Sequence, residues 1–167
     1  MCNTCYMPPP STGLSAVDPV IEAVLHASRA LVAVAAQSLA TVADDVTLPQ
    51  YRTLVVLADR GPQGMASLAA SLGVNPSTAT RMCDRLVRKG LVRRRTDPKD
   101  RRQVRMVLTE AGHRVVAEVT ERRREEIARI VEAMPLDRRQ RLVDSLGSFA
   151  EAAGEPEVKE WRGRWAL

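Results

Sequence analysis

The apolar period of this chain changes at Gly90, and that change constrains the fold more than any other feature. Upstream, Leu68, Ala69 and Leu72 recur at helical spacing, and Gly73 suits a helix end. Asn75-Pro76 supplies a cap and a first-turn proline for a further helix, which runs to about Lys89 before Gly90 stops it. The turn between the two helices is about four residues long, the spacing of a helix-turn-helix. Downstream the period is 2. Leu91 to Arg95 reads as one strand, and Val104, Met106 and Leu108 alternate with Gln103, Arg105 and Val107 in a second. The polar run Thr96-Asp97-Pro98-Lys99-Asp100-Arg101-Arg102 turns between them. A helix-turn-helix followed at once by a β-hairpin predicts a mainly α fold with a small β-hairpin wing.

The flanks read as helices. Asp18-Pro19 opens one that runs to about Thr41, with Ile21, Val24, Leu25, Leu31, Val32, Ala35 and Leu39 at helical spacing. Thr47 caps a second, with Leu48, Tyr51, Leu54, Val55 and Ala58 inward, and residues 61–64 end it. Thr109 caps a long helix to about Met134 whose charged middle, 118–126, faces water. Pro135 breaks it, and Asp137 caps a last helix carrying Leu142, Val143, Leu146, Phe149 and Ala150. The expected organisation is an N-terminal arm over 1–17, a domain over 18–153 and a tail over 154–167. The winged helix-turn-helix occupies 47–108 of that domain.

Charge is concentrated. The chain of 167 residues carries +5, but residues 77–105 alone carry eleven basic and three acidic side chains, so the remainder is net acidic. All but three of the 25 basic residues are Arg, whose planar fork suits phosphates and guanine edges. A compact basic patch on an acidic background is the footprint of a polyanion partner. Aromatics are 3% of the chain, too few for the stacking platforms that single-stranded RNA recognition uses. No uninterrupted apolar run reaches the ~18 residues of a membrane span, and residues 1–10 lack the basic and apolar regions of a secretory signal. A cytoplasmic protein with no membrane partner is the expectation.

Stepping ~100° per residue along the second helix of the motif separates two faces. Ser77, Thr78, Arg81, Arg85 and Arg88 fall on one side; Ala79, Met82, Cys83, Leu86 and Val87 fall on the other. A solvated amphipathic helix would show the same split. Its place as the second helix of a helix-turn-helix, followed by a basic hairpin, favours a DNA-reading helix instead. Asn75, at its start, belongs to that surface. Ser77, Thr78 and Arg81 are expected at or near base edges, Arg85 and Arg88 on phosphates. At the hairpin tip, Asp100 can orient one of Arg101 and Arg102 by a charge-assisted bond, and a single guanidinium on a narrow finger suits the minor groove.

The run from Leu48 to Gly112 resembles the multiple-antibiotic-resistance regulator (MarR) family of winged-helix repressors. The pieces that carry the resemblance are LPQYRTLVVLA from Leu48, SLAASLGVNPSTATRMCDRLVRKGLVRR from Ser67 and, most specific, DPKDRRQVRMVLTEAG from Asp97. The resemblance implies a homodimer held by helical arms, here 18–41 and 110–153, that binds double-stranded DNA at a palindromic operator. It implies that Asp100 braces Arg102 in the minor groove, with Arg101 beside them. It also implies release from DNA by a small aromatic or phenolic effector, or by an oxidant acting on cysteine; Tyr51 and Arg52 could line an effector site or simply pack.

Cys2-x-x-Cys5 has metal or redox spacing, but zinc needs about four ligands and no second pair exists, so no metal is expected; the pair is a candidate redox element. Cys83 falls on the apolar face and reads as a small core residue. No Gly-rich phosphate loop, His-x-x-x-His pair or Gly-x-Ser-x-Gly elbow occurs. Neither enzymatic activity nor a cofactor is expected. The leading reading is a dimeric, sequence-specific DNA-binding transcription regulator, a repressor released by a small-molecule or oxidant signal. The alternative is a winged-helix assembly module whose basic face meets an acidic protein.

Overall fold

The computed structural model describes residues 17–43, 45–96 and 103–154. Nine elements follow one another: α1 (Asp18–Val42), α2 (Leu48–Arg60), β1 (Gln63–Gly64), α3 (Met65–Leu72), α4 (Pro76–Arg88), β2 (Val92–Thr96), β3 (Val104–Leu108), α5 (Glu110–Glu132) and α6 (Leu136–Ala152). By contacts the chain divides into two units, one ending at Ala33 and one beginning at Val34, so the division falls within α1.

In the second unit, residues from five elements meet in one core. Leu54 and Leu57 of α2, Leu68 of α3, Cys83 and Leu86 of α4, Met106 of β3, and Val116 and Val119 of α5 are all buried together. Each such aliphatic side chain removed from water contributes about 1.5–3 kcal/mol before chain entropy is counted. With aromatics so scarce, the core is set by aliphatic packing, and Tyr51 is its one buried aromatic among the described residues.

Local chemistry ends and turns the helices where the sequence signals it. After α3 the chain enters the left-handed region at Gly73 (φ 65°), and the Gly73 and Val74 amides donate to Ala70 and Ala69 carbonyls. After α4 the same closure recurs at Gly90 (φ 71°), with Gly90 N donating to Val87 O and Leu91 N to Leu86 O. Both are Schellman closures, which favour glycine because only it enters that region without strain. Thr109 then ties three segments together. Its amide donates to Leu91 O at 3.1 Å and its hydroxyl to Gly90 O at 2.7 Å, while the same Oγ1 accepts from Gly112 N at 3.1 Å.

Three details differ from the expectation. The wing is a three-stranded antiparallel sheet of order β1-β3-β2, because Gln63 and Gly64 pair with Met106 and Arg105. A two-residue strand has no period to read, and its turn-rich sequence had marked only a helix end. The last helix starts one residue after Pro135, so Asp137 lies inside its first turn and accepts from Arg141 at 2.9 Å rather than capping the backbone. Finally, α1 is long and apolar enough, by length and composition, to cross a membrane. The expectation of no span rests on the lack of an unbroken apolar run, since Glu22, His26 and Arg29 interrupt this one, whereas the helix as a whole is apolar enough despite them.

Two stretches expose apolar side chains. In the first unit, Val20, Ile21, Leu25, Leu31 and Val32 are exposed along α1. In the second unit, α6 has no buried residue at all, and Val143, Leu146 and Phe149 are exposed. Exposed apolar patches of this kind mark surfaces suited to a protein, membrane or ligand partner.

Candidate nucleic-acid interface

The turn Gly73 to Asn75 delivers the chain to α4 with its N-terminus capped. Asn75 Oδ1 accepts from Thr78 N at 2.8 Å and from Ser77 Oγ at 2.8 Å, so three of the expected contact residues are tied together and fix the first turn. Pro76 fills the first helical position, where a missing amide costs nothing. The first turn carries only small side chains, Ser77, Thr78 and Ala79, so its backbone can approach a partner closely.

The two faces of α4 are those the angular count gives. Ala79, Cys83 and Leu86 are fully buried, and Met82 and Val87 are half-buried. Opposite them, Asn75, Ser77, Arg81, Arg85 and Arg88 are exposed and Thr78 is half-buried. Arg81, Arg85 and Arg88 form no ion pair among the described residues, so their guanidiniums stand ready for an anion. The apolar backing aims them as one row.

Other members of the basic stretch have different tasks, which the sequence did not separate. Lys89 bonds both the backbone oxygen and the carboxylate of Asp45, tying the end of α4 to the segment before α2. Arg94 of β2 pairs with Asp84, the single carboxylate on α4. Arg93 and Arg95 are exposed on β2, and Arg95 lies directly opposite Arg105 in the ladder. Arg105 also donates to Pro62 O at 3.4 Å. The wing-tip residues Asp100, Arg101 and Arg102 lie outside the described residues, as do Cys2 and Cys5.

Cys83 is fully buried, and its thiol is pushed up to about 11, first by desolvation and then by the Asp84 charge. It is therefore a core residue and not a thiolate nucleophile. Between α2 and α5, Tyr51 is buried, with its pKa raised by desolvation. Its hydroxyl lies 3.3 Å from Thr120 Oγ1, and Thr120 already donates to Val116 O at 2.7 Å, so Tyr51 is the donor. The neighbouring Arg123 has a buried Nε with no hydrogen-bond partner. Arg52, by contrast, is exposed. No group of three or more metal-ligating side chains occurs among the described residues.

Comparison with known proteins agrees with this geometry. The MarR family model matches residues 46–104, from the segment before α2 to the start of β3. The chain is 48% identical to RV1404 from Mycobacterium tuberculosis, whose crystal structure superposes with a TM-score of 0.82 over 88% of this chain and 100% of that one. A MarR family protein from Bacillus stearothermophilus shares the fold, at 24% identity and a TM-score of 0.76 over 86% of this chain and 99% of that one. The HTH-type transcriptional repressor MdtR of Bacillus subtilis is 30% identical over 117 residues, 70% of this chain and 76% of its own. For other curated relatives the match is partial, spanning 47% of one and 55% of another. Helix-turn-helix, three-stranded wing, exposed arginine row and these relatives converge: the chain belongs to the MarR family of DNA-binding transcriptional regulators.

Proposed function

We propose that this chain acts as a homodimeric repressor that reads a palindromic operator through α4 and the wing. The observation that carries the reading is the arginine row of α4, exposed and without an ion pair among the described residues, along a helix whose opposite face is the core. In this reading Ser77, Thr78 and Arg81, near the helix start, meet base edges, Arg85 and Arg88 meet phosphates, and Asn75 holds the approach. Arg102, braced by Asp100 with Arg101 beside it, enters the flanking minor groove. The exposed apolar residues of α1 and of α6, with the outer part of α5, supply the dimer contacts. That assignment also accounts for the membrane-like hydropathy of α1, since a helix covered by a second copy meets the same arithmetic.

The release signal that fits is a small aromatic acid. At the joint of α2 and α5, beside Tyr51, Arg123 carries a buried Nε that lacks a hydrogen-bond partner, a charged donor suited to a carboxylate. An oxidant acting at Cys2 and Cys5 is the second route, testable by replacing both with Ser and asking whether peroxide still releases DNA.

The test of the main reading is duplex binding across a salt series. Affinity is expected to fall steeply with salt, as counterion release requires. Arg102→Ala is expected to weaken operator binding with the dimer intact. Weak duplex affinity at every salt concentration would instead favour assembly with an acidic protein.

A further inference from the structure

Asp84 is the one carboxylate on α4, and it stands at the edge of the arginine row. On a helix, residues three and four apart are neighbours. Arg81 precedes Asp84 by three positions and Arg88 follows it by four, so both are within helical reach of its carboxylate. Yet the carboxylate is engaged by neither. It pairs with Arg94, which reaches across from β2. The strand period selects that residue. Arg94 shares a face of β2 with buried Val92 and lies opposite buried Met106, so it is on the side of the sheet that packs towards the core, whereas Arg93 and Arg95 alternate to the other side. Of the three consecutive arginines, only the middle one is placed to meet α4.

The geometry points to Arg94 as a positioning residue: it occupies Asp84 and so keeps Arg81 and Arg88 available to DNA. Without it, the carboxylate turns to the neighbouring arginine of its own helix and withdraws a guanidinium from the duplex. The pair is half-exposed on both sides, so it adds little to folding; its consequence lies in which arginines remain unpaired. The inference rests on the reading of α4 as the DNA-contacting helix.

The test is a cycle of Arg94→Gln, Asp84→Asn and the double variant, made in the full chain. Each is titrated with an operator-containing duplex and with a random duplex of equal length. Arg94→Gln is expected to lose about tenfold in operator affinity, the scale of one arginine contact. It is also expected to lose part of the preference for operator over random duplex. The double variant is expected to recover to within about threefold of the wild type, because the competing carboxylate is gone. Arg94→Lys, which can still hold Asp84, is expected to bind like the wild type. Arg93→Gln removes the same charge from the other side of the strand, and its smaller loss separates capture of an arginine from loss of net charge.

Equal weakness of Arg94→Gln and the double variant would overturn the inference, since Arg94 would then touch the DNA itself. Weakness of Asp84→Asn alone would also overturn it, since the pair would then act as a brace for the wing. So would a loss in Arg94→Gln no larger than in Arg93→Gln. Failure of the underlying reading is distinguishable, because Arg81→Ala would then leave duplex binding unchanged. Melting of each variant near the wild-type temperature assigns the losses to binding.

Discussion

Replacing Gly112 by Ala sets helix propensity against packing in one substitution. Gly112 lies in the first turn of α5 and is buried where that helix crosses the start of the wing. In an unconstrained helix interior the change stabilises by about 1 kcal/mol. Here a Cβ would stand 2.2 Å from the carbonyl oxygen of Leu91 and 2.8 Å from Leu108 Cδ1. The leucine side chain can shift, but the carbonyl cannot move freely, because it accepts the Thr109 amide at 3.1 Å. Separating Cβ and oxygen to ordinary contact needs about 1 Å of backbone movement at the joint of α4, β2 and α5. Overpacking of this kind costs roughly 1–3 kcal/mol, and a backbone obstacle places it at the upper end. The expected net loss is about 2 kcal/mol. Urea unfolding followed by helical circular dichroism, at one fixed protein concentration, should show a midpoint lower by about 1 M. A midpoint equal to or above that of the wild type would refute the packing described for this joint.

Further expectations concern single groups. Cys83 should remain unmodified by iodoacetamide at pH 8 in the folded protein, read by peptide mass, because its pKa is about 11. The sign follows from linkage: the unfolded thiol loses its proton near 9 and the folded one near 11, so this group's contribution to stability is lost as pH rises through that window. Asn75→Ala should lose about 1 kcal/mol of stability with the α4 cap. Asn75→Asp keeps the cap and should fold as the wild type, but its carboxylate at the start of α4 should weaken duplex binding; unchanged binding would remove that position from the interface. Phe149→Arg should give a monomer in sedimentation experiments while helical content is kept, and a persisting dimer would exclude the exposed face of α6 as a contact.

Much of the fold was legible because it depends on residues close in sequence. The α4 cap, the glycines that close α3 and α4, and the switch of period at Gly90 are local signals, and the helix-turn-helix and the β2–β3 pair lie where those signals put them. What escaped depends on pairing across distance. Gln63 and Gly64 become a strand only because β3 lies alongside, and nothing in those two residues announces it. Lys89 and Arg94 looked like further members of the basic patch, and only tertiary structure gives them Asp45 and Asp84. Arg123, in a charged stretch read as solvated, has a buried Nε beside Tyr51 because α5 packs on α2. Exposure of the apolar positions of α6 was equally illegible, since the period marks a face without saying which molecule covers it.

Selection of bound sequences from a random duplex library bears most directly on the claim that the arginine row of α4 reads DNA. The wild type should enrich an inverted repeat whose half-sites lie about one helical turn apart, as two symmetric reading helices require. Arg81→Ala should enrich the same repeat with one position relaxed, at a loss of roughly 1–3 kcal/mol if that guanidinium meets a guanine. Enrichment of no repeat, or an unchanged profile for Arg81→Ala, would contradict it.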